Sequence, residues 1–454
     1  MPASYQPDPT GALSRRIAAF CRNTTWQDIP ETVRHEAKRS ILNGFATALA
    51  GAHEPAIEKS LGTLHRFSAN QSCSLTGRSE RTDMLFAAYI NAMAANIADY
   101  DDTHPATVIH PTAPVAPALF AYAETIPTTG QDLLRAFILG AEIECRLGNA
   151  VSPYHYARGW HITSTCGVFG SAIAIGMLLD LTENQFVHAI SNATAHAAGM
   201  VETLGTMSKS ISVGNSARNG IVSALLAAED FSGPTAPLEG ERGFLSVYAN
   251  EPKPGALTSD LGQVWEIAKN TYKPYPVGVV INPILEACLQ LHAQGSVAIE
   301  DVASVELTGH PLLQQRANRP SVTTGREAQV SAQHAIAIAL RRGRAGLSEF
   351  SDEAVAETAR DNIRPPITFI DDASYDIESA RIVIHTQSGT SHTIDIRDTR
   401  GGTVNPLSDA DLNTKLKDLA AYGHFPRDVA PLADALWSLD QSQDAGTIMN
   451  LASL

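Results

Sequence analysis

Residues 84–111 read MLFAAYINAMAANIADYDDTHPATVIHP. The first part, Met84 to Tyr100, has the apolar spacing of a helix and is rich in alanine, so it predicts a helix able to pack closely against its neighbours. The second part, from Asp99, places Asp99, Asp101, Asp102, His104 and His110 within twelve positions. Pro105 and Pro111 end the helix and hold the loop to a set course. Three carboxylates and two imidazoles this close perturb one another's proton affinity, which acid–base chemistry requires. An acidic helix end on the surface is the plainer alternative. A metal site is the sharper one, since Asp and His are good ligands, but no second His/Glu cluster at helical spacing accompanies it.

Working outward, the chain from about Ala12 to Asp230 is mainly helical. Pro30 to Ala52 reads as a helix, with Asp28 as its cap and Pro30 in its first turn. Pro114–Ile126 and Gln131–Val151 follow, separated by the loop at 127–130. Thr182 and Gln185 form a capping box for a helix running toward Met200. Asn215–Asp230 reads as another, entered through Gly214. Near Trp265 the texture changes. Ser304–Thr308 predicts a strand, and Ala380–Ile396 a hairpin turning at Ser388-Gly389. Helices are expected at Ala328–Leu340 and Ser351–Asp361, and from Asp409 onward. The fold class is therefore mainly α: a large helical domain over 1–265 and 405–454, with a smaller α+β domain inserted at 266–404.

A chain of 454 residues exceeds one ordinary core. Its formal net charge of -15, with no basic run beyond Arg341-Arg342-Gly343-Arg344, argues against nucleic acid as a partner. The five cysteines are far apart, odd in number and without a CxxC, which fits a reducing, cytoplasmic setting rather than disulfides or a thiolate metal site. No membrane span and no signal peptide is expected.

Three further stretches carry chemistry. Gly159-Trp-His161-Ile-Thr-Ser164-Thr-Cys-Gly-Val-Phe-Gly170 surrounds one histidine with small and hydroxylated residues, which allow backbone and hydroxyl donors to approach an anion; a helix starting near Ser164 adds its N-terminal N–H groups. A capped, glycine-rich packing seam is the alternative. Lys209 lies in a small-residue loop before a helix whose first turns hold Arg218; it either pairs with a substrate carboxylate or is solvated. Asn270-Thr-Tyr-Lys273-Pro-Tyr275-Pro276 sets two prolines and two aromatics around a lysine, as an anion site, a rigid connector, or both.

Taken together and in order, DYDDTHPAT…HP, GWHxTST.GVFG, K(x4)GNSARNG and YKPYP resemble the MmgE/PrpD family. That resemblance implies a helical domain plus an α+β lid, an active site between them, and a homodimer without metal or organic cofactor. It maps the family's pocket onto Asp99, Thr103, His110, His161, Lys209 and Lys273, with His334 at a position held by tyrosine in cis-aconitate decarboxylase. Val277–Asn282, including Gly278 and Asn282, also departs from the family pattern. The substrate implied is a small di- or tricarboxylate. Lys209 and Lys273 are expected to bind its carboxylates, His110 and His161 to serve as base and acid, Asp99 to orient a histidine, and Thr103 to donate a hydrogen bond. A hydro-lyase of the 2-methylcitrate dehydratase kind ranks first. An epimerase using His334 as a second imidazole ranks next, then a decarboxylase. The non-enzymatic alternative is an inactive polycarboxylate-binding protein.

Overall fold

The computed structural model describes residues 5–454. The chain is mainly α and divides into two compact units, one of residues up to Asn270 together with Asp409–Leu454, the other Thr271–Ser408.

In the first unit, helix Ile162–Leu178 packs between Gly130–Val151 and Ser208–Ala228, and Met84–Ile97 packs on Ser208–Ala228, Thr112–Ala123 and Glu31–Gly51. Met84–Ile97, Thr112–Ala123 and Ile162–Leu178 are apolar nearly all round, as expected of helices surrounded by others. Several boundaries differ from expectation. Asp28 does not cap the helix at Glu31; its carboxylate instead accepts from the N–H and hydroxyl of Thr25, closing a separate turn, and Pro30 takes the cap position. The Thr182/Gln185 capping box forms as expected, but its helix stops at Thr194. The largest difference is at Ser208–Ala228: the helix begins seven residues before Asn215. Gly214 is therefore not its entrance. It lies mid-helix, where a Cβ would come 2.8 Å from the Tyr89 carbonyl oxygen, so glycine there permits close contact with Met84–Ile97. Lys209 is accordingly a first-turn helix residue rather than a loop residue, and Arg218 sits in the third turn.

The second unit holds a four-stranded sheet in the order Ile367–Asp371, Val302–Gly309, Ala380–Thr386, Ser391–Ile396. The hairpin is antiparallel with Ala380 opposite Ile396 and His385 opposite Ser391. Ile367–Asp371 pairs parallel to Val302–Gly309 and was not anticipated. It is an edge strand with little buried surface, so its alternation is weak. The expected helix at Ala328–Leu340 is two pieces, Gly325–Ala328 and Ala332–Arg342, the second capped by the Ser331 hydroxyl. Helix Asn282–Ala293 packs on Ala332–Arg342 and on the hairpin, over a core of Ile284, Leu285, Cys288, Val305, Ile336 and Ile382.

Among the described residues no helix is long and apolar enough to cross a membrane, and all five cysteines are buried and unpaired.

Candidate active site

Helix Met84–Ile97 stops just before Asp99, which takes a left-handed conformation (φ 54°), tolerated by aspartate better than by most residues. The turn reverses the chain and sends Asp101 and Asp102 inward, both fully buried. Asn96 donates to Asp101 at 2.6 Å; Thr112 and Asn270 each donate to one oxygen of Asp102 at 2.6 Å. Burial, reinforced by the Asp101 charge, pushes the Asp102 carboxyl up to about 7 against the pull of these hydrogen bonds. Behind it lies Glu144, also fully buried; neither of its oxygens has a hydrogen-bond partner among the described residues, and burial raises its proton affinity far above the usual carboxylate range.

The segment then makes a tight loop in which the His104 N–H donates to the Ile109 carbonyl at 2.8 Å and the Val108 N–H to the His104 carbonyl at 2.9 Å. Val108 has φ 57°, a strained conformation for a β-branched residue, held by the loop around it. His104 is spent on structure: its ring nitrogens lie 2.7 Å from the Thr107 hydroxyl and 3.0 Å from Glu266. His110 is what the loop aims. Its Nδ1 lies 2.7 Å from the Asp102 carbonyl oxygen, which only accepts, so Nδ1 carries the proton. Thr103 Oγ1 and Asp101 Oδ1 flank the same nitrogen at 3.4 and 3.5 Å, and Nε2 faces Asp99 at 3.7 Å. The His110 N–H donates to Thr163 at 3.2 Å, tying the loop to the start of helix Ile162–Leu178.

His161 is the residue just before that helix, which starts two residues earlier than expected. Its ring is buried, with Nδ1 3.2 Å from both Ser164 Oγ and Ser212 Oγ. Burial first, then the nearby Lys209 and His110, depress its proton affinity to about 3, so the imidazole is neutral near pH 7. The Lys209 ammonium donates to Asp99 at 3.0 Å; the lysine side chain is buried and the aspartate is partly exposed, at 39%. Asp99 also offsets a cation placed at the positive end of a helix.

Asp99, Thr103, His110, His161 and Lys209 thus gather in the first unit. Lys273 belongs to the second, partly buried, with its charge felt by Glu378 of the same unit. His334 is likewise in the second unit but fully sealed there. Its Nδ1 lies 3.1 Å from the Thr358 hydroxyl and its Nε2 2.8 Å from the Glu349 carbonyl, with Phe350 edge-on to the ring. The sequence assigns no role to Ser212, Asn96, Asn270 and Glu144, and to Ser164 only that of a helix start in the hydroxylated stretch around His161. Only Ser212 left a signal: three residues after Lys209 it shares a helix face with it, once the helix is known to begin at Ser208.

One grouping among the described residues is compact enough for a metal: Asp99, Asp101 and His110 offer ligand atoms all within 4.8 Å of one another. The fit is poor. The Lys209 ammonium already holds Asp99 Oδ1 and would repel a cation, and Nδ1 of His110 is occupied by its proton.

Comparison with known proteins agrees over most of the length. The MmgE/PrpD N-terminal domain matches residues 15–256 and the MmgE/PrpD C-terminal domain residues 275–439. Human cis-aconitate decarboxylase is 27% identical over 444 residues, covering 93% of this chain and 91% of the relative. The mouse enzyme of the same name is 25% identical over 460 residues, covering 97% and 93%. Cis-aconitate decarboxylase-like protein oryM of Aspergillus oryzae is 25% identical over 475 residues, covering 98% of each. With both domains matched in order, the chain belongs to the MmgE/PrpD family and is an enzyme of lyase type.

Proposed function

We propose that this enzyme cleaves a small di- or tricarboxylate by forming a carbanion next to a carboxylate, and that decarboxylation of a cis-aconitate-like substrate is its reaction. The observation that carries the reading is the Lys209–Asp99 ion pair standing beside two oriented histidines, His110 and His161. A carbanion beside a carboxylate concentrates negative charge, and a buried ammonium is the group that meets it. The relatives move decarboxylation ahead of the hydro-lyase branch that the motifs alone favoured. The epimerase branch is weakened, because His334, the second imidazole offered for it, has both ring nitrogens engaged in the core.

In the proposed reaction the C–CO2 bond breaks and its electron pair spreads over carbons adjoining the remaining carboxylates. Lys209 stabilises that charge, and an imidazolium fills the pair with a proton. His161 is neutral in the empty site; a bound polyanion raises its proton affinity and lets it acquire the proton it hands on. His110, held through Nδ1 and facing Asp99 through Nε2, is the partner that exchanges protons with solvent. Lys273 joins the set on motif grounds, as a further carboxylate-binding cation. On the same grounds we infer a homodimer, and the unpaired buried cysteines support a reducing, cytoplasmic setting.

The test is proton NMR in heavy water with cis-aconitate, 2-methylcitrate and citrate. Expected is carbon dioxide release from cis-aconitate, with deuterium entering the product beside a carboxylate. His161→Gln and Lys209→Gln, folded by circular dichroism, should each lose at least ~100-fold in turnover. Water loss from 2-methylcitrate would instead establish the hydro-lyase branch. Absence of both turnover and exchange with every polycarboxylate would overturn the reading.

A further inference from the structure

We propose that Ser164 and Ser212 are positioning residues that hold His161 with its proton on Nδ1, so that the bare Nε2 is the nitrogen presented to the substrate.

The argument is a count of hydrogens. A serine hydroxyl has one proton to give and lone pairs to receive. The Ser212 hydroxyl gives its proton to the Lys209 carbonyl at 2.8 Å, and the Ser164 hydroxyl gives its own to the His161 carbonyl at 2.9 Å. Both oxygens then turn lone pairs toward His161 Nδ1, each at 3.2 Å. A bare Nδ1 would face two lone pairs at hydrogen-bonding distance. A protonated Nδ1 shares one N–H between two equidistant acceptors. In a neutral ring the proton on Nδ1 leaves Nε2 free to accept.

The surroundings are built for the same end. The His161 N–H donates to the Gly199 carbonyl at 3.0 Å, which fixes the backbone beneath the ring. Gly199 itself has φ 133°, and a Cβ there would come 2.0 Å from Ser164 Oγ, so any side chain would displace the hydroxyl. Ser216 donates to the Ser164 carbonyl at 2.7 Å, locking together the two helices that carry the serines. Ser212 stands one turn beyond Lys209 and bonds its carbonyl, so the turn that carries the ammonium also sets the imidazole. His110 reaches the same tautomer by another route, a backbone carbonyl. Both histidines consequently offer Nε2, the nitrogen that in His110 faces Asp99 and hence the ion pair.

This inference rests on the reading of His161 as a group that meets substrate, but its test does not need substrate. Full-length enzyme labelled with 15N-histidine is examined by long-range 1H–15N correlation, with His161→Gln identifying the His161 signals. Expected is the Nδ1–H tautomer in the wild type and a mixture of tautomers in Ser212→Ala and Ser164→Ala. On substrate, Ser212→Ala should lower kcat on the order of 10- to 100-fold with little change in KM, and Ser212→Thr should recover much of it. A wild-type proton on Nε2 would overturn the proposal whether or not either variant folds. So would serine variants that keep the pure Nδ1–H form. If instead the tautomer behaves as expected while His161→Gln retains full turnover, the inference about the serines stands and the assignment of His161 to the chemistry fails.

Discussion

Asp102→Asn should remove a large part of the enzyme's stability loss on going from mildly acidic to mildly alkaline pH. Asp102 is fully buried, with one oxygen accepting from Thr112 and Asn270 and the other without a hydrogen-bond partner among the described residues. Burial and the Asp101 charge hold its carboxyl at about 7, whereas an aspartate in the unfolded chain titrates near ~3.9. The folded-state value is the higher one, so the folded protein keeps a proton that the unfolded chain releases. The resulting stabilisation is complete below about pH 4 and is lost as pH rises through about 7. Some three pH units at roughly 1.4 kcal/mol each amount to ~4 kcal/mol, of which ~3 kcal/mol falls between pH 5 and pH 8. Asparagine keeps an acceptor for Thr112 and Asn270, puts an amide where the protonated oxygen was, and does not titrate. The measurement is urea unfolding of both proteins at half-unit steps from pH 5 to pH 8. Relative to wild type, the variant should gain ~3 kcal/mol across that range. The difference between the two proteins is the quantity to follow, because Glu142 and Glu144 are buried acids whose proton affinity is also raised. Parallel stability curves would refute the reasoning, showing that Asp102 is ionised throughout.

Two further outcomes test the geometry around the histidines. Gly199→Ala forces a Cβ against the Ser164 hydroxyl at a positive φ; it should cost about 1–3 kcal/mol in unfolding free energy and lower turnover through His161, and an unchanged kcat would contradict the packing described. His334→Ala empties a buried site and removes the ring's hydrogen bonds to the Thr358 hydroxyl and the Glu349 carbonyl, for a loss of about 2–4 kcal/mol in denaturant titration, while the folded fraction keeps turnover within roughly threefold of wild type. A loss of ~100-fold in a variant that still folds would return His334 to the chemistry.

Much of this enzyme is written locally and could be read before any coordinates. The alanine-rich Met84–Ile97 period, the Thr182/Gln185 box and the alternation in Ala380–Ile396 each depend on neighbours a few positions away, and each formed. The clustering of Asp99, Asp101, Asp102 and His110 is likewise a fact of spacing. What spacing could not decide is which groups water reaches. Asp102 and Glu144 are unusual acids only because helices from elsewhere in the chain bury them, and His334 turns structural only because Thr358 and Glu349 close over it.

The site's working geometry is tertiary in the same sense. Asp99 and Lys209 are 110 residues apart, and His161 and Ser212 are 51 apart. The early start of helix Ser208–Ala228 is what turns Lys209 and Ser212 onto one face; apart from Lys209 its serine-rich opening turn has weak helix propensity, and packing against Met84–Ile97 and Ile162–Leu178 supplies the difference. The sequence by itself determined the helical class and the chemical inventory, because composition and periodicity are local properties, and its four motifs carried the resemblance to the family. The tertiary structure decided which members of that inventory are charged, which are satisfied and which nitrogen of each histidine is offered, because desolvation and hydrogen bonding are set by residues that meet only after the chain has folded.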